Sequence, residues 1–231
     1  MGTDSARTFF TADTHFGHRL MALHRGHAPG AGSRDDVTLE HVRAHDEDIV
    51  ASWNSVVSDK DVVWHLGDLT LKHAAEIADI LRRLNGRNRL VLGNHDRVHP
   101  LFRERAIAAQ QELLRSGVEY VCTAARATIP GGNSGRLPVM LSHFPYRTAS
   151  QDDHRFRAWQ LEDVGDWILH GHTHSHLAVD ADLPRQIKVG WDAWRRPVSA
   201  DEILRLIRET STSIDVRTEL TREHRNRRIG R

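Results

Sequence analysis

The chain has 231 residues, 39% of them hydrophobic and 27% charged, and 32 Lys and Arg against 31 Asp and Glu leave a net charge of +1. This composition supports a hydrophobic core and excludes a disordered chain, while the near-neutral charge gives no general attraction to nucleic acid or membranes. No run approaches the roughly 18 apolar residues of a membrane span, the first residues lack a leader pattern, and Cys122 has no cysteine partner. We therefore expect a soluble, cytoplasmic protein.

The first half of the chain alternates apolar runs with amphipathic segments, a pattern that predicts alternating strands and helices. The predicted elements are a strand at Thr8–Ala12, a loop over Arg25–Asp36, a helix from Leu39 to Trp53 capped by Thr38, a strand at Val62–Leu66, a helix over Ala74–Leu84, a strand at Leu90–Leu92 and a helix over Leu101–Arg115.

The second half is mostly strand-like, so the whole chain is predicted to be α/β. Its predicted elements are strands at Tyr120–Ile129, Leu137–Ser142, Trp167–His170 and Gln186–Val189, a turn at Gly131–Asn133, a helix opened by a capping box at Ser199–Glu202, and a closing strand at Ser213–Val216. We expect one domain over residues 1–220. The arginine-rich residues 221–231 are interpreted as a solvated terminal tail, with a nucleic-acid arm as the alternative.

Short segments with metal-type ligands follow the predicted strands. They are Asp13-Thr14-His15, Gly67-Asp68, Gly93-Asn94-His95-Asp96, Ser142-His143 and Gly171-His172-Thr173-His174. Ligands of α/β sheets collect at the carboxyl ends of strands, and one intervening residue lets Asp13 and His15 point to the same side. The glycines permit sharp turns and close approach of a ligand. Each segment alone also fits a capped turn or a half-buried strand, but together they predict one site.

The predicted donors are carboxylate, amide and imidazole groups, a mixture that suits Mn, Fe, Zn, Ni or Co. They are too many for one four-coordinate zinc ion and fit two ions that share a carboxylate. The sequence therefore predicts a site for two divalent metal ions.

The ordered set D-x-H, G-D, G-N-H-D, H and G-H-x-H resembles the motifs of the calcineurin-like metallophosphoesterase superfamily, over residues 9 to about 200. The segments at 12–18, 53–55, 65–68 and 189–194 are similar to those of its small bacterial and phage branch. The resemblance implies a four-layer α/β/β/α sandwich with a dinuclear site at one edge of the paired sheets.

The resemblance also implies two sets of metal ligands joined by a bridging carboxylate. The first set is Asp13, His15 and His174. The second set is Asn94, His143 and His172, and Asp68 bridges both ions together with a water or hydroxide. Manganese is the expected metal, with iron, zinc, nickel or cobalt as alternatives.

Several further residues are predicted to contact substrate or to support catalysis. The resemblance gives His95 the role of an acid that protonates the departing alkoxide or of a group that stabilises the phosphoryl oxygens, with a hydrogen bond to a metal ligand as the alternative. Asp96 is grouped with it, either orienting a neighbour or capping a helix. His18 is predicted to reach the substrate phosphate, with support of a metal ligand or an ordinary loop position as the alternatives. Arg147 is predicted to bind phosphate, with Arg25, Arg34, Arg155 and Arg157 as further candidates, and Tyr146 and Trp159 could stack a nucleobase.

The chain departs from the protein serine/threonine phosphatases, whose G-D-x-x-D-R-G pattern is replaced here by Gly67-Asp68 followed by Leu-Thr-Leu-Lys-His. We therefore expect a small phosphate ester or nucleotide as substrate, with phosphodiester hydrolysis favoured. Alternatives are a phosphomonoesterase, a nuclease or nucleotide pyrophosphohydrolase with the same ions, and a metal-binding scaffold without turnover. Nucleic acid is not favoured as a partner, no membrane partner is expected, and the oligomeric state is open.

Overall fold

A computed structural model describes residues 5–131, 135–147, 154–180 and 182–212 of the protein. The strands are β1 Thr8–Thr11, β2 Val62–His65, β3 Arg87–Val91, β4 Val118–Cys122, β5 Ala124–Pro130, β6 Arg136–Ser142, β7 Trp167–His170, β8 Gln186–Lys188 and β9 Val198–Ser199. The helices are α1 Arg19–His24, α2 Leu39–Asn54, α3 Ala74–Arg83, α4 Glu104–Arg115, α5 Trp191–Trp194 and α6 over residues 200–212, with 3₁₀ turns at Arg34–Asp36, Pro100–Phe102 and His154–Trp159.

The strands form two sheets, one in the order β4-β3-β2-β1-β9 and the other in the order β5-β6-β7-β8. In the first sheet β1 to β4 are parallel and β9 is antiparallel to β1. In the second sheet β6, β7 and β8 are parallel. Because parallel strands all end at the same edge, the loops that follow β1, β2 and β3 lie side by side, as do those after β6 and β7.

Two apolar clusters hold these layers together, and neighbouring residues of β1 face opposite ways into them. Phe9 packs with Ile49 and Trp53 of α2 in the cluster between the helices and the five-stranded sheet. Phe10 packs with Leu141 and Leu169 of the second sheet, and Ile203, Leu204 and Ile207 of α6 complete that cluster. The expected α/β class with two stacked sheets and flanking helices is confirmed.

Most predicted strands and helices are present within a few residues of their expected limits. The single predicted strand Tyr120–Ile129 is wrong, because the chain passes at Thr123 from β4 in one sheet to β5 in the other. The short elements α1, α5 and β9 had no periodicity long enough to predict them. The predicted strand Ser213–Val216, most of the Gly131–Asn133 turn and the tail 221–231 lie outside the described residues.

Trp191 is buried in the first apolar cluster, and Trp194 is half-buried against the second. Among the residues that the structure describes, no helix is long and apolar enough to cross a membrane.

Two buried histidines outside the predicted ligand set are expected to make the protein sensitive to acid. His65 Nε2 and Thr14 Oγ1 share a hydrogen bond of 2.9 Å, and the His65 ring stacks on Trp53. His170 is the last residue of β7, and its Nδ1 is 2.9 Å from the carbonyl oxygen of Gly171. Burial lowers the pKa of each to about 3, so both stay neutral in the folded protein.

We expect the free energy of unfolding to fall as the pH drops from 7 to 5. Below a pH of about 6.5 these histidines are protonated in the unfolded chain but not in the folded chain. Each of them then lowers the free energy of unfolding by about 1.4 kcal/mol per pH unit. Urea unfolding at pH 7, 6 and 5 measures the slope, which His65→Gln should reduce and His24→Gln, at an exposed position, should leave unchanged. An equal slope in both variants would contradict the prediction.

Candidate metal centre

The loops after five strands bring all seven predicted metal ligands to one place. Asp13 and His15 follow β1, Asp68 follows β2, Asn94 follows β3, His143 follows β6, and His172 and His174 follow β7. Ligand atoms of Asp13, His15 and His174 lie within 4.8 Å of one another, and so do those of Asp13, Asp68 and His143. These groups could therefore hold metal ions.

The first set is oriented by a carboxylate that the sequence reading did not single out. His15 Nε2 and His174 Nε2 are 3.2 Å apart, so both nitrogens face the same point. His174 Nδ1 is 2.8 Å from Asp192 Oδ2, and this hydrogen bond raises the pKa of His174. When His174 is neutral, donation of Nδ1–H to Asp192 leaves the Nε2 lone pair directed at Asp13 and His15.

The second set converges on His143. Its Nε2 is 3.1 Å from Asn94 Oδ1 and 3.2 Å from His172 Nδ1. Its Nδ1 donates to the carbonyl oxygen of Leu66 over 2.9 Å, which fixes the tautomer with a free lone pair on Nε2. Burial lowers the pKa of His143 to about 3, so the ring is neutral, as a metal ligand must be.

Asp68 lies between the two sets. Its Oδ2 is 3.7 Å from His15 Nε2 and 3.6 Å from His143 Nε2, while its Oδ1 accepts the backbone N–H of His95 over 2.9 Å. One carboxylate oxygen thus faces a nitrogen of each set, the position that a bridging ligand requires.

The buried carboxylates fit a site for cations. Asp13 and Asp68 are both buried, and burial together with the charge of Asp68 raises the pKa of Asp13 to about 8. Burial likewise raises the pKa of Asp68. Two like charges in a low-dielectric site are costly unless a proton or a cation neutralises them, and the attraction of His174 offsets only part of the increase in the pKa of Asp13. The donor set therefore matches divalent cations.

Backbone strain is concentrated at the same residues. The left-handed conformation, with φ between 50° and 72°, occurs at Asp13, His15, Asp68, His172 and His174. A non-glycine residue in this conformation costs about 1–3 kcal/mol, and such residues cluster where function requires a fixed geometry. The strain indicates that the loops are shaped for ligand placement rather than for local stability.

Gly93 and Gly67 allow the loops after β2 and β3 to touch. A Cβ at Gly93 would lie 2.2 Å from Asp68 Oδ1, and a Cβ at Gly67 would lie 2.6 Å from His143 Nδ1. The predicted close approach at these glycines is thus present. The groups that come close are side chains of the predicted metal ligands, Asp68 and His143.

Asp96 holds the loop that carries Asp68. Its carboxylate accepts the backbone N–H groups of Asp68, Leu69 and Gly93 over 2.8–2.9 Å. Burial and the charge of Asp68 raise its pKa to about 7. Because both carboxylate oxygens accept hydrogen bonds from backbone N–H groups of these loops, the structure favours the orienting role over the helix cap. Asp96 is therefore a positioning residue and not a catalytic one.

His95 and His18 border the ligands on the open side. The side chain of His95 is 46% exposed, and its Nε2 is 4.0 Å from Asp68 Oδ2. The half-buried ring of His18 lies 5.5 Å from that of His15, between ring centres, and burial lowers the pKa of His18 to about 4. Both side chains can therefore meet a substrate held at the ligands.

The predicted phosphate-binding arginines are mostly engaged elsewhere. Arg147 Nη1 is 2.6 Å from Glu162 Oε1, and its Nη2 donates to the carbonyl oxygen of Arg157, which argues against a phosphate contact. Arg155 lies over the ring of Phe156. Tyr146 is buried and donates to the carbonyl oxygen of Asp166, so it cannot stack a nucleobase. Trp159 packs edge-on against His99.

Arg25 is a buried structural residue and not a phosphate ligand. It donates to both oxygens of Asp192 over 2.9 and 3.1 Å, and to the carbonyl oxygens of Asp13 and Thr14. Burial alone would raise the pKa of Asp192, but the hydrogen bonds with His174 and Arg25 hold it below its usual range. Arg25 therefore links the loop after β1 to the carboxylate that orients His174.

Comparisons with known proteins agree with this geometry. Residues 36–197 match the family model described as the calcineurin-like phosphoesterase superfamily domain. The Gene 66 protein of Mycobacterium phage D29 is 37% identical over 208 residues, covering 88% of this chain and 97% of that protein. The uncharacterized protein MJ1445 of Methanocaldococcus jannaschii is 30% identical, covering 87% of this chain and 91% of that protein.

A solved structure shows a similar fold. The crystal structure of AQ665 from Aquifex aeolicus, a protein of unknown function, aligns with a TM-score of 0.57 and 21% identity, covering 88% of this chain and all of that one. The phage and archaeal relatives fit the small phage-type branch that the sequence motifs indicated.

Proposed function

The chain belongs to the calcineurin-like phosphoesterase superfamily, and from this premise we propose that it hydrolyses phosphodiesters with two divalent metal ions. Superfamily membership supports metal-dependent phosphoesterase chemistry in general. The observation that carries the finer proposal is the position of Asp68, whose Oδ2 is 3.6–3.7 Å from one nitrogen of each ligand set. A single ion would need only one of these sets.

The residues of the chain have separate parts in the proposed reaction. Asp13, His15 and His174 hold one ion, and Asn94, His143 and His172 hold the other. Two bound divalent ions would lower the pKa of a water and neutralise charge on the phosphoryl oxygens. Manganese is our proposed metal, because mixed carboxylate, amide and imidazole ligands suit it, and the same ligands also accept iron, zinc, nickel or cobalt.

His95 is the proposed general acid. As the water oxygen bonds to phosphorus, the opposite P–O bond breaks and the departing oxygen needs a proton. The proximity of the exposed His95 imidazole to Asp68, with Nε2 4.0 Å from Oδ2, supports this role. A proton lost by the attacking water leaves to solvent, and the reaction balances with no further reactant.

The substrate is proposed to be a small phosphodiester or a nucleotide. The missing G-D-x-x-D-R-G pattern removes the phosphate-binding arginine of the protein phosphatases, and the chain's near-neutral charge disfavours long nucleic acids. Phosphomonoester hydrolysis and nucleotide pyrophosphate hydrolysis would use the same ions and are the alternatives. Assays with 4-nitrophenyl phosphate and with adenosine triphosphate distinguish them from diester hydrolysis. The cytoplasmic location stays a prediction.

The test of the general acid compares two substrates with different leaving groups. His95→Asn should lower kcat for dithymidylate, whose leaving alkoxide needs a proton, by about 10²–10⁴-fold with Mn²⁺. It should lower kcat for bis(4-nitrophenyl) phosphate much less, because nitrophenolate leaves without a proton. His24→Asn, at an exposed site on α1, is the control.

Two results would count against the proposal. Equal losses on both substrates would remove the acid role from His95. Hydrolysis of 4-nitrophenyl phosphate but of neither diester would make the protein a phosphomonoesterase.

A further inference from the structure

A cleft of about 700 Å³ opens beside the candidate metal centre. Facing residues of α2 and α3 form its sides, among them Val42 and Arg43 on α2 and Ile77 and Ile80 on α3. His18 lines the cleft and also packs 5.5 Å from His15, between ring centres, so the cleft leads directly to the predicted ligands. His18 is therefore a common border of the cleft and the predicted ligand site.

The floor of the cleft is apolar. Val42 and Ile77 are buried there, and Leu71 and Ile80 are half-buried. A volume of this size is typical of sites for nucleotide-sized ligands, and a dimethyl or diphenyl phosphate would leave most of it empty. The apolar floor suits a sugar or a nucleobase face.

Two guanidinium groups in the cleft are unpaired. Arg19 and Arg43 are exposed, and within the described part of the chain neither side chain has a hydrogen bond or an ion pair. The other cations at the cleft are matched, since Lys72 lies 3.5 Å from Glu76 and Arg34 lies 3.4 Å from Asp35.

The basic residues that line the cleft, Arg19, Arg34, Arg43 and Lys72, outnumber the acidic ones, Asp35, Asp46 and Glu76. Asp46 accepts from the backbone N–H of Gly17 and from His45, and Glu76 accepts from the backbone N–H of His73 and from Lys72. Unpaired guanidiniums over an apolar floor are a site for a phosphate attached to a nucleoside, because guanidinium binds phosphate in a bidentate fashion.

We propose that this cleft binds a second phosphate group of the substrate at Arg19 and Arg43, with a nucleoside lying on the apolar floor. The inference rests on the proposed function and narrows it to substrates that carry a phosphate beyond the one hydrolysed. A phosphorylated oligonucleotide and a nucleoside polyphosphate share this chemistry.

The test compares dithymidylate without a terminal phosphate, with a 5′-phosphate and with a 3′-phosphate, in the presence of Mn²⁺. One phosphorylated form should have a KM about tenfold lower than the plain form, the effect of one added charge-assisted hydrogen-bond pair. Arg43→Ala should abolish that difference with kcat within twofold, and Arg43→Lys should keep part of it. Arg115→Ala, an exposed arginine on α4 outside the cleft, is the matched control. Adenosine triphosphate as competitor tells whether a nucleoside polyphosphate uses the same site.

The outcomes separate this inference from the proposed function. If the protein hydrolyses bis(4-nitrophenyl) phosphate and Arg43→Ala does not change that activity, the result supports both the proposed phosphodiesterase and the proposed phosphate site. Equal KM values for all three dithymidylates, or equal effects of Arg43→Ala and Arg115→Ala, would contradict the proposed phosphate site in the cleft. The proposed phosphodiesterase activity would not be affected by either result. If no diester is cleaved, calorimetry with metal-free protein still decides: phosphorylated dithymidylate must bind more tightly than the plain form, and Arg43→Ala must remove the difference.

Discussion

If the proposed two-metal mechanism holds, replacing Asp68 with Asn is expected to lower kcat for phosphodiester hydrolysis at least about a thousandfold, because several kcal/mol of transition-state stabilisation would depend on the paired ions. Asp68 Oδ2 faces His15 on one side and His143 on the other, so a neutral amide there weakens both ion sites together. The bound metal should fall from about two ions to one or fewer.

The same substitution is expected to leave the fold intact. Asp68 Oδ1 accepts the backbone N–H of His95, and an amide oxygen can accept the same hydrogen bond. Burial raises the pKa of Asp68, so ionising it in the metal-free protein costs free energy that Asn does not. The thermal midpoint of metal-free Asp68→Asn at pH 8 should therefore equal or exceed that of the wild type.

Metal content by mass spectrometry, kcat on bis(4-nitrophenyl) phosphate and the metal-free melting curve measure these effects together. Asp59→Asn, an exposed aspartate before β2, is the control. A variant that retained two ions and more than a tenth of wild-type kcat would remove Asp68 from the bridging position.

The predicted ligands could be found in the sequence because each directly follows an apolar strand. Asp13 and Asp68 each come after a buried strand of the parallel sheet, so a strand prediction together with the rule for carboxyl ends was sufficient to bring them together. The glycines beside these ligands further predicted that the loops approach one another closely. The assignment of each ligand to one ion came from the family motifs, since spacing alone does not give distances between loops.

The supporting residues could not be predicted in the same way. Arg25 and Asp192 are 167 residues apart in the chain and meet only after β1, α1 and α5 are assembled. An arginine in a loop looks the same in the sequence whether it is solvated or buried, and Arg25 was grouped with exposed candidates for that reason. Asp96 is a similar case, because its partners are backbone N–H groups that carry no sequence signal. The division of Tyr120–Ile129 between two sheets also depends on tertiary packing.

Replacing Arg25 with Met is expected to lower the free energy of unfolding by about 3 kcal/mol, the lower end of the usual cost of breaking a buried ion pair, because Asp192 keeps its hydrogen bond with His174. The Arg25 side chain is 1% exposed and that of Asp192 is 7% exposed. Loss of the guanidinium also leaves the carbonyl oxygens of Asp13 and Thr14 without their donor, which adds to the cost.

A double-mutant cycle separates the ion pair from the packing of Arg25. Asp192→Asn should destabilise the protein on its own, yet in combination with Arg25→Met it should recover at least about 1 kcal/mol, because the buried carboxylate that lost its guanidinium partner is then gone. Urea unfolding of metal-free protein at pH 7.5 gives the four free energies, and Arg115→Met controls for loss of an arginine. Strict additivity would mean that Arg25 and Asp192 stabilise the fold independently.

Metal affinity distinguishes a positioning role from a merely structural one. Asp192 fixes the tautomer of His174, and loss of such a partner commonly weakens metal binding 10–100-fold. Asp192→Asn should therefore weaken Mn²⁺ binding by about that factor at the proposed first ion, while the proposed second ion, at Asn94, His143 and His172, should bind as before. A uniform loss at both ions would point instead to collapse of the loop after β1, since Asp13 and Thr14 are held through Arg25 and the same carboxylate.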